Sequence, residues 1–97
     1  MMEIILDGAM MTDRASLHDQ LAEKFAFSDY YGRNLDALYD MLSTYQKRVD
    51  VTVIREEDLV QNLGKYGNAF LRTLQDASAS NANVKFTILS GKNENNT

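Results

Sequence analysis

The alternation of apolar and polar positions divides this chain into three short strand-like runs and four longer helical ones. Glu3 to Leu6 is a short apolar run closed by the turn signal Asp7-Gly8, and predicts a first strand. After a connection over Gly8 to Thr12, Asp13 stands as the N-cap of a first helix. There Leu17, Leu21 and Phe25 recur every fourth residue with Ala22 alongside, while Asp19, Gln20, Glu23 and Lys24 face water. Phe27-Ser28-Asp29 leads out, and a turn at Tyr30 to Gly32 feeds a second helix. Asn34 is its N-cap, and Leu35, Leu38 and Leu42 form its apolar stripe with Met41 and Tyr45 beside them. This helix is expected to end near Tyr45 to Lys47. The nearly continuous β-branched run from Val49 to Ile54 is a second strand. Glu56, Glu57 and Asp58 open a third helix where its dipole prefers anions, Leu59, Val60 and Leu63 supply its buried side, and Gly64 suits its end. A fourth helix is expected from about Gly67 to Ala69, with Phe70, Leu71, Leu74 and Ala77 as its stripe, until the small polar run Ser78 to Asn83 breaks it. Val84 to Leu89 is a third strand, and the polar residues after it read as a disordered tail.

The order is β-α-α-β-α-α-β. Helices fill both strand-to-strand links, as parallel pairing requires, and the crossovers should be right-handed. The expected fold is therefore α/β: a small three-stranded parallel sheet with helices packed on it. Strands this rich in Ile and Val suggest a covered sheet. The 97 residues suffice for one domain, placed at 1–90, with 91–97 as the tail. At 44% hydrophobic and 25% charged the composition is ordinary for a globular chain. With no cysteine there is no disulfide frame and no thiolate metal site. A formal charge of -4, from 10 basic and 14 acidic residues, argues against a nucleic-acid partner and for a basic protein one. The start of the chain has no basic stretch leading into an apolar run of signal length, and no segment approaches the ~20 apolar residues of a membrane span. The reading is a cytoplasmic protein without membrane association.

Enzyme chemistry finds little support. The single histidine, His18, has Leu21, Ala22 and Phe25 at its helical neighbours. A place at the edge of the core explains it better than a catalytic role. There is no G-x-S-x-G, no Cys nucleophile, no H-E-x-x-H and no Gly-rich phosphate loop. Asp36 and Asp40 could in principle hold a divalent cation, but two carboxylates on one helical turn make a thin site. No metal or cofactor is expected. The basic residues are scattered rather than gathered into a stripe with interleaved aromatics.

What remains is the second helix's outward face. It carries Asp36, Tyr39, Asp40 and Ser43. Asp36 and Asp40 are four residues apart, so like charges adjoin at a cost of roughly 0.2–0.5 kcal/mol. A solvated polar surface is one reading of that face. Tyr39 between the two carboxylates, with Tyr30-Tyr31 just upstream, favours a protein-binding patch for something cationic, because tyrosine gives a large, stiff contact. Tyr30 and Tyr31 are adjacent and should point in different directions, so one of them can be core.

The stretch Tyr30-Tyr31-Gly32-Arg33-Asn34-Leu35-Asp36-Ala37-Leu38-Tyr39-Asp40 resembles the signature helix of the barstar family of intracellular ribonuclease inhibitors. Ser16-Leu17-His18, the closing Thr87-Ile88-Leu89-Ser90 and the element order are similar to the family as well, so that the resemblance spans nearly all of residues 2–90. It implies a protein that is no enzyme, but a monomeric inhibitor that plugs the active site of a barnase-type ribonuclease one-to-one. In that comparison Asp40 matches the carboxylate that takes the place of the substrate phosphate, and Asp36 a second acidic contact. Tyr30 and Tyr39 match aromatic contacts, Gly32 and Asn34 the segment that meets the enzyme's loops, and Asp76 a further acid on the fourth helix. Two residues depart from the pattern: Tyr39 stands where the family commonly has tryptophan, and Arg33 where an acidic or neutral residue is expected. They leave open an alternative, a barstar-like interaction module whose basic partner is not a ribonuclease.

Overall fold

The computed structural model describes residues 2–89. Its elements are β1 (Met2–Asp7), a 3-10 turn (Gly8–Met10), α1 (Arg14–Phe25), α2 (Leu35–Ser43), β2 (Val49–Ile54), α3 (Glu56–Leu63), α4 (Lys65–Ser80) and β3 (Val84–Leu89). This is the expected β-α-α-β-α-α-β order. The tail expected at 91–97 lies outside the described residues.

The strands stand side by side in chain order, β1-β2-β3, and both pairs are parallel. Rows across the sheet run Ile4–Val51–Phe86 and Leu6–Val53–Ile88 on one face, and Ile5–Thr52–Thr87 and Asp7–Ile54–Leu89 on the other. The first face is the core side: Ile4, Leu6, Val49, Val51, Val53 and Val84 are buried there. On the second face Ile5 is 53% and Leu89 56% exposed. The helices thus cover one face, which corrects the expectation of a covered sheet. Strands that neighbour one another in chain order place successive crossovers of one hand on the same side. β2 records this in its alternation, with Val49, Val51 and Val53 buried and Asp50, Thr52 and Ile54 partly exposed.

The caps anticipated at Asp13 and Asn34 are present. Asp13 accepts from the Ser16 amide at 2.8 Å and the Ser16 hydroxyl accepts from the Asp13 amide at 3.1 Å, a reciprocal box that starts α1. Three boundaries differ from expectation. α2 stops at Ser43, because the Thr44 hydroxyl donates to the Asp40 carbonyl at 2.8 Å and the turn tightens there. α4 begins at Lys65, directly after Gly64. That residue closes α3 at φ 55, a value costly for any side chain, and its carbonyl accepts the Asn68 amide of the next helix. α4 also continues through the small polar run to Ser80, since the Ser78 hydroxyl reaches across to the Val84 carbonyl at 2.9 Å instead of competing for its own helix.

Two crossings lock the layers together. At the end of β1, the Asp7 carboxylate takes both Nε and Nη2 of Arg55, at 3.0 and 2.8 Å. Gly8 presses so closely on the same residue's backbone that a Cβ would lie 2.3 Å from the Arg55 carbonyl oxygen. The second crossing is His18, which is 2% exposed and so lies well inside the core rather than at its edge. Its Nδ1 is 2.7 Å from the Tyr31 hydroxyl and its Nε2 2.8 Å from the Tyr66 hydroxyl. A neutral imidazole has one N–H and one lone pair, so one tyrosine donates while the other accepts. The ring joins α1 to the segment before α2 and to the start of α4. Burial holds the His18 pKa below 6.5, and the nearby Arg33 charge adds to the effect. Burial likewise pushes the Tyr31 phenol above its usual range.

Gly8→Ala should lower the unfolding free energy by about 2–3 kcal/mol, as measured by urea denaturation, because backbone must move to admit the methyl group. A change within error would mean that the contact with Arg55 is not tight. The unfolded chain takes up a proton at His18 more readily than the folded one. Stability from the neutral ring is therefore complete above pH 6.5 and is lost as the pH falls below it, down to the folded value. The urea midpoint should drop between about pH 7.5 and about pH 5.5, and His18→Gln should be less stable at the upper pH but flatter across the interval. The lowered pKa of Asp7, due first to its Arg55 hydrogen bond, adds a further loss only below pH 3.8. A wild-type midpoint that holds steady across the upper interval would refute the His18 assignment.

Candidate functional site

α2 has nine residues, too few to persist as an isolated helix. Its neighbours hold it. Leu38 and Leu42 are fully buried, each contributing roughly 1.5–3 kcal/mol by leaving water. At the N-terminal end, Asn34 Oδ1 accepts the Ala37 amide at 2.7 Å, and Asn34 Nδ2 donates to the Gly32 carbonyl at 3.2 Å. Both ends of that side chain are engaged in fixing the loop to the helix. At the C-terminal end, Asn81 Nδ2 donates to the carbonyls of Leu42 and Tyr45, each at 2.9 Å. α2 is thereby held against the C-terminal end of α4.

The tandem tyrosines separate as adjacent residues should. Tyr31 is core, 7% exposed, while Tyr30 is 95% exposed. Phe27 packs against the Tyr31 ring at a centroid distance of 4.8 Å, so the segment that carries Tyr30 is pinned from beneath. Arg33 follows in a left-handed conformation at φ 57, and its guanidinium pairs with Asp19 on α1. The one cation in the signature stretch is thus matched within the chain.

Asp36 and Asp40 are exposed, one turn apart on α2. Tyr39 is half-buried, and its hydroxyl lies 2.9 Å from the Ser80 hydroxyl of α4. Its ring leans onto α4 instead of standing free between the carboxylates. Asp76 is exposed on α4, and it lines the same α2–α4 groove as Asp36. This groove, of about 450 Å³, also carries Lys65 and Arg72. The structure thus unites Asp36, Tyr39, Asp40 and Asp76 on two packed helices, with Gly32 and Asn34 at the head of α2 and Tyr30 on the segment leading in. Sequence reasoning missed Lys65, Arg72 and Ser80. The late start set for the fourth helix hid Lys65, and its early end hid Ser80. Arg72, four residues before Asp76, could have been read from helical spacing.

A larger hollow, about 520 Å³, lies where α1 meets β1, and includes Ile5, Met10 and Ile54. Several of its polar groups are already occupied. Asp7 holds Arg55, Asp19 holds Arg33, and the Gln20 amide spans the Asp7 backbone at 2.7 and 3.3 Å. On the α2–α4 surface Asp36, Asp40 and Asp76 have no ion-pair partner among the described residues. Also among the described residues, no group of three or more His, Cys, Asp or Glu could hold a metal ion, and no helix is long and apolar enough to cross a membrane.

Comparison with known proteins bears on this surface. A model of the family described as Barstar (barnase inhibitor) matches residues 1–91. A Bacillus subtilis (strain 168) protein named "Putative ribonuclease inhibitor YrdF" is 38% identical over 78 residues, which cover 79% of this chain and 86% of the relative. With the fold, the capped α2 and the signature stretch all in place, the chain belongs to the Barstar family.

Proposed function

We propose that this protein is an intracellular ribonuclease inhibitor, and no enzyme, that covers the active site of a barnase-type ribonuclease with α2 and the segment before it. The observation that carries the reading is the cluster of exposed carboxylates, Asp36, Asp40 and Asp76, on two helices packed together, with no ion-pair partner among the described residues. A ribonuclease must gather positive charge to hold RNA phosphate, and a rigid acidic helix answers that charge with its geometry already set. Family membership and the name of the Bacillus subtilis relative point the same way.

The roles are those that the resemblance to the family implies. Asp40 takes the place of the substrate phosphate, and Asp36 makes a second acidic contact at the same mouth. Tyr30 offers its whole ring, whereas Tyr39 offers what is left uncovered beside α4. Gly32 and Asn34 shape the loop that meets the enzyme, Asn34 chiefly by holding it. Asp76 adds an acid from the neighbouring helix. Arg33 does not oppose a basic partner as a free charge would, because Asp19 accompanies it. One domain over residues 1–90 acts as a monomer, binds one ribonuclease in the cytoplasm and needs no cofactor.

Calorimetric titration against a barnase-type ribonuclease tests this. One-to-one binding is expected, with Asp40→Ala weaker by about a hundredfold or more, as when a buried ion pair loses one partner. Asp36→Ala should weaken it less. Both variants should fold as well as the wild type or slightly better, since the like-charge pair is relieved. Equal affinity of the wild type and the double Asp variant would sink the proposal. Association should slow steeply as salt is raised, which stopped-flow mixing would register.

A further inference from the structure

The groove between α2 and α4 bears charge of both signs. Asp36 and Asp76 line it, and so do Lys65 and Arg72. Arg72 and Asp76 are one turn apart on α4, a spacing at which opposite charges commonly pair. They do not pair here, and Lys65 and Arg72 have no ion-pair partner among the described residues. Arg33 and Arg55 differ in each being held by an aspartate. The two groove cations are therefore presented to solvent beside the very acids assigned to a basic enzyme.

Cations in that position would repel a partner that is uniformly positive. They suit one whose rim changes sign. We infer that the α2–α4 groove receives an acidic loop of the bound ribonuclease, its carboxylate flanked by Lys65 and Arg72. On this view partner choice depends on charges of both signs: Asp36, Asp40 and Asp76 face the cationic cleft, and Lys65 and Arg72 read the acidic loop beside it. The groove's shape supports this. Ala69, one turn of α4 from both cations, is a small residue among its lining and leaves room for an incoming side chain. The planar guanidinium of Arg72 suits two-point contact with a carboxylate. The inference rests on the proposed inhibitor reading of α2 and adds the chemistry of a second contact.

The test uses the sign of an effect. Lys65→Glu with Arg72→Glu makes the chain more acidic by four charges. If only positive charge faced the groove, the double variant would bind a barnase-type ribonuclease faster and tighter. The inference requires the opposite: affinity weaker by about tenfold or more, mostly through faster dissociation, as when charged hydrogen bonds are lost. Both residues are exposed, and circular dichroism with a urea midpoint would establish that folding is unchanged. Asp40→Ala, measured alongside, separates the two claims. If Asp40→Ala loses binding and the double variant keeps or gains it, the groove inference is overturned while the role of α2 stands. If Asp40→Ala binds as the wild type does, both fall. Restoration of the Arg72→Glu complex by a single acidic-to-lysine change on a ribonuclease surface loop would confirm the contact and identify its other half.

Discussion

A buried imidazole with a tyrosine hydroxyl on each nitrogen is the interaction on which this structure depends. His18 has to sit in the core because Leu17, Leu21 and Phe25 put its face of α1 there. Once buried, both ring nitrogens need partners, because an unsatisfied polar atom would cost about 1–3 kcal/mol. Tyr31 and Tyr66 meet that need from opposite directions. One lies on the segment that leads into α2 and the other on the first turn of α4. Satisfying one side chain therefore fixes how three parts of the chain meet, and no buried side-chain polar atom is left without a partner among the described residues.

Much of this was open to reading from the sequence. Periodicity found all seven regular elements and their order, and with them the parallel pairing. The capping residues Asp13 and Asn34 were legible because their function is local. Helix ends were less so. Thr44 ends α2 by a bond within its own turn, whereas Ser78 keeps α4 going by a bond to β3, and nothing in a short serine-rich run tells the two outcomes apart. The open face of the sheet was written in the alternation of β2, but the density of Val and Ile hid it.

The candidate site divides the same way. Its carboxylates were visible because two aspartates on one helix face, beside an aromatic, are hard to explain by stability alone. Which tyrosine of the pair would be exposed was not visible, since it depends on His18, thirteen residues earlier in the chain. The Arg33–Asp19 pair and the meeting of Asp36 with the charges of α4 were also out of reach, because both join residues whose distance in sequence says nothing about their distance in space. Local rules located the helix that carries the acids. Tertiary contacts decide how it is aimed and what stands beside it.

Asn81 gives this aiming a direction in time. From its place between α4 and β3, its amide holds the Leu42 carbonyl near the end of α2, 39 residues back along the chain, and the Tyr45 carbonyl just past that end. A chain leaving the ribosome has all of α2 long before it has Asn81. Until then the helix lacks its C-terminal clasp and the surface of α4 on which to rest. The acidic surface is complete only once Asn81 has been made and has folded back, so a product terminated before it carries the signature stretch without the means to present it.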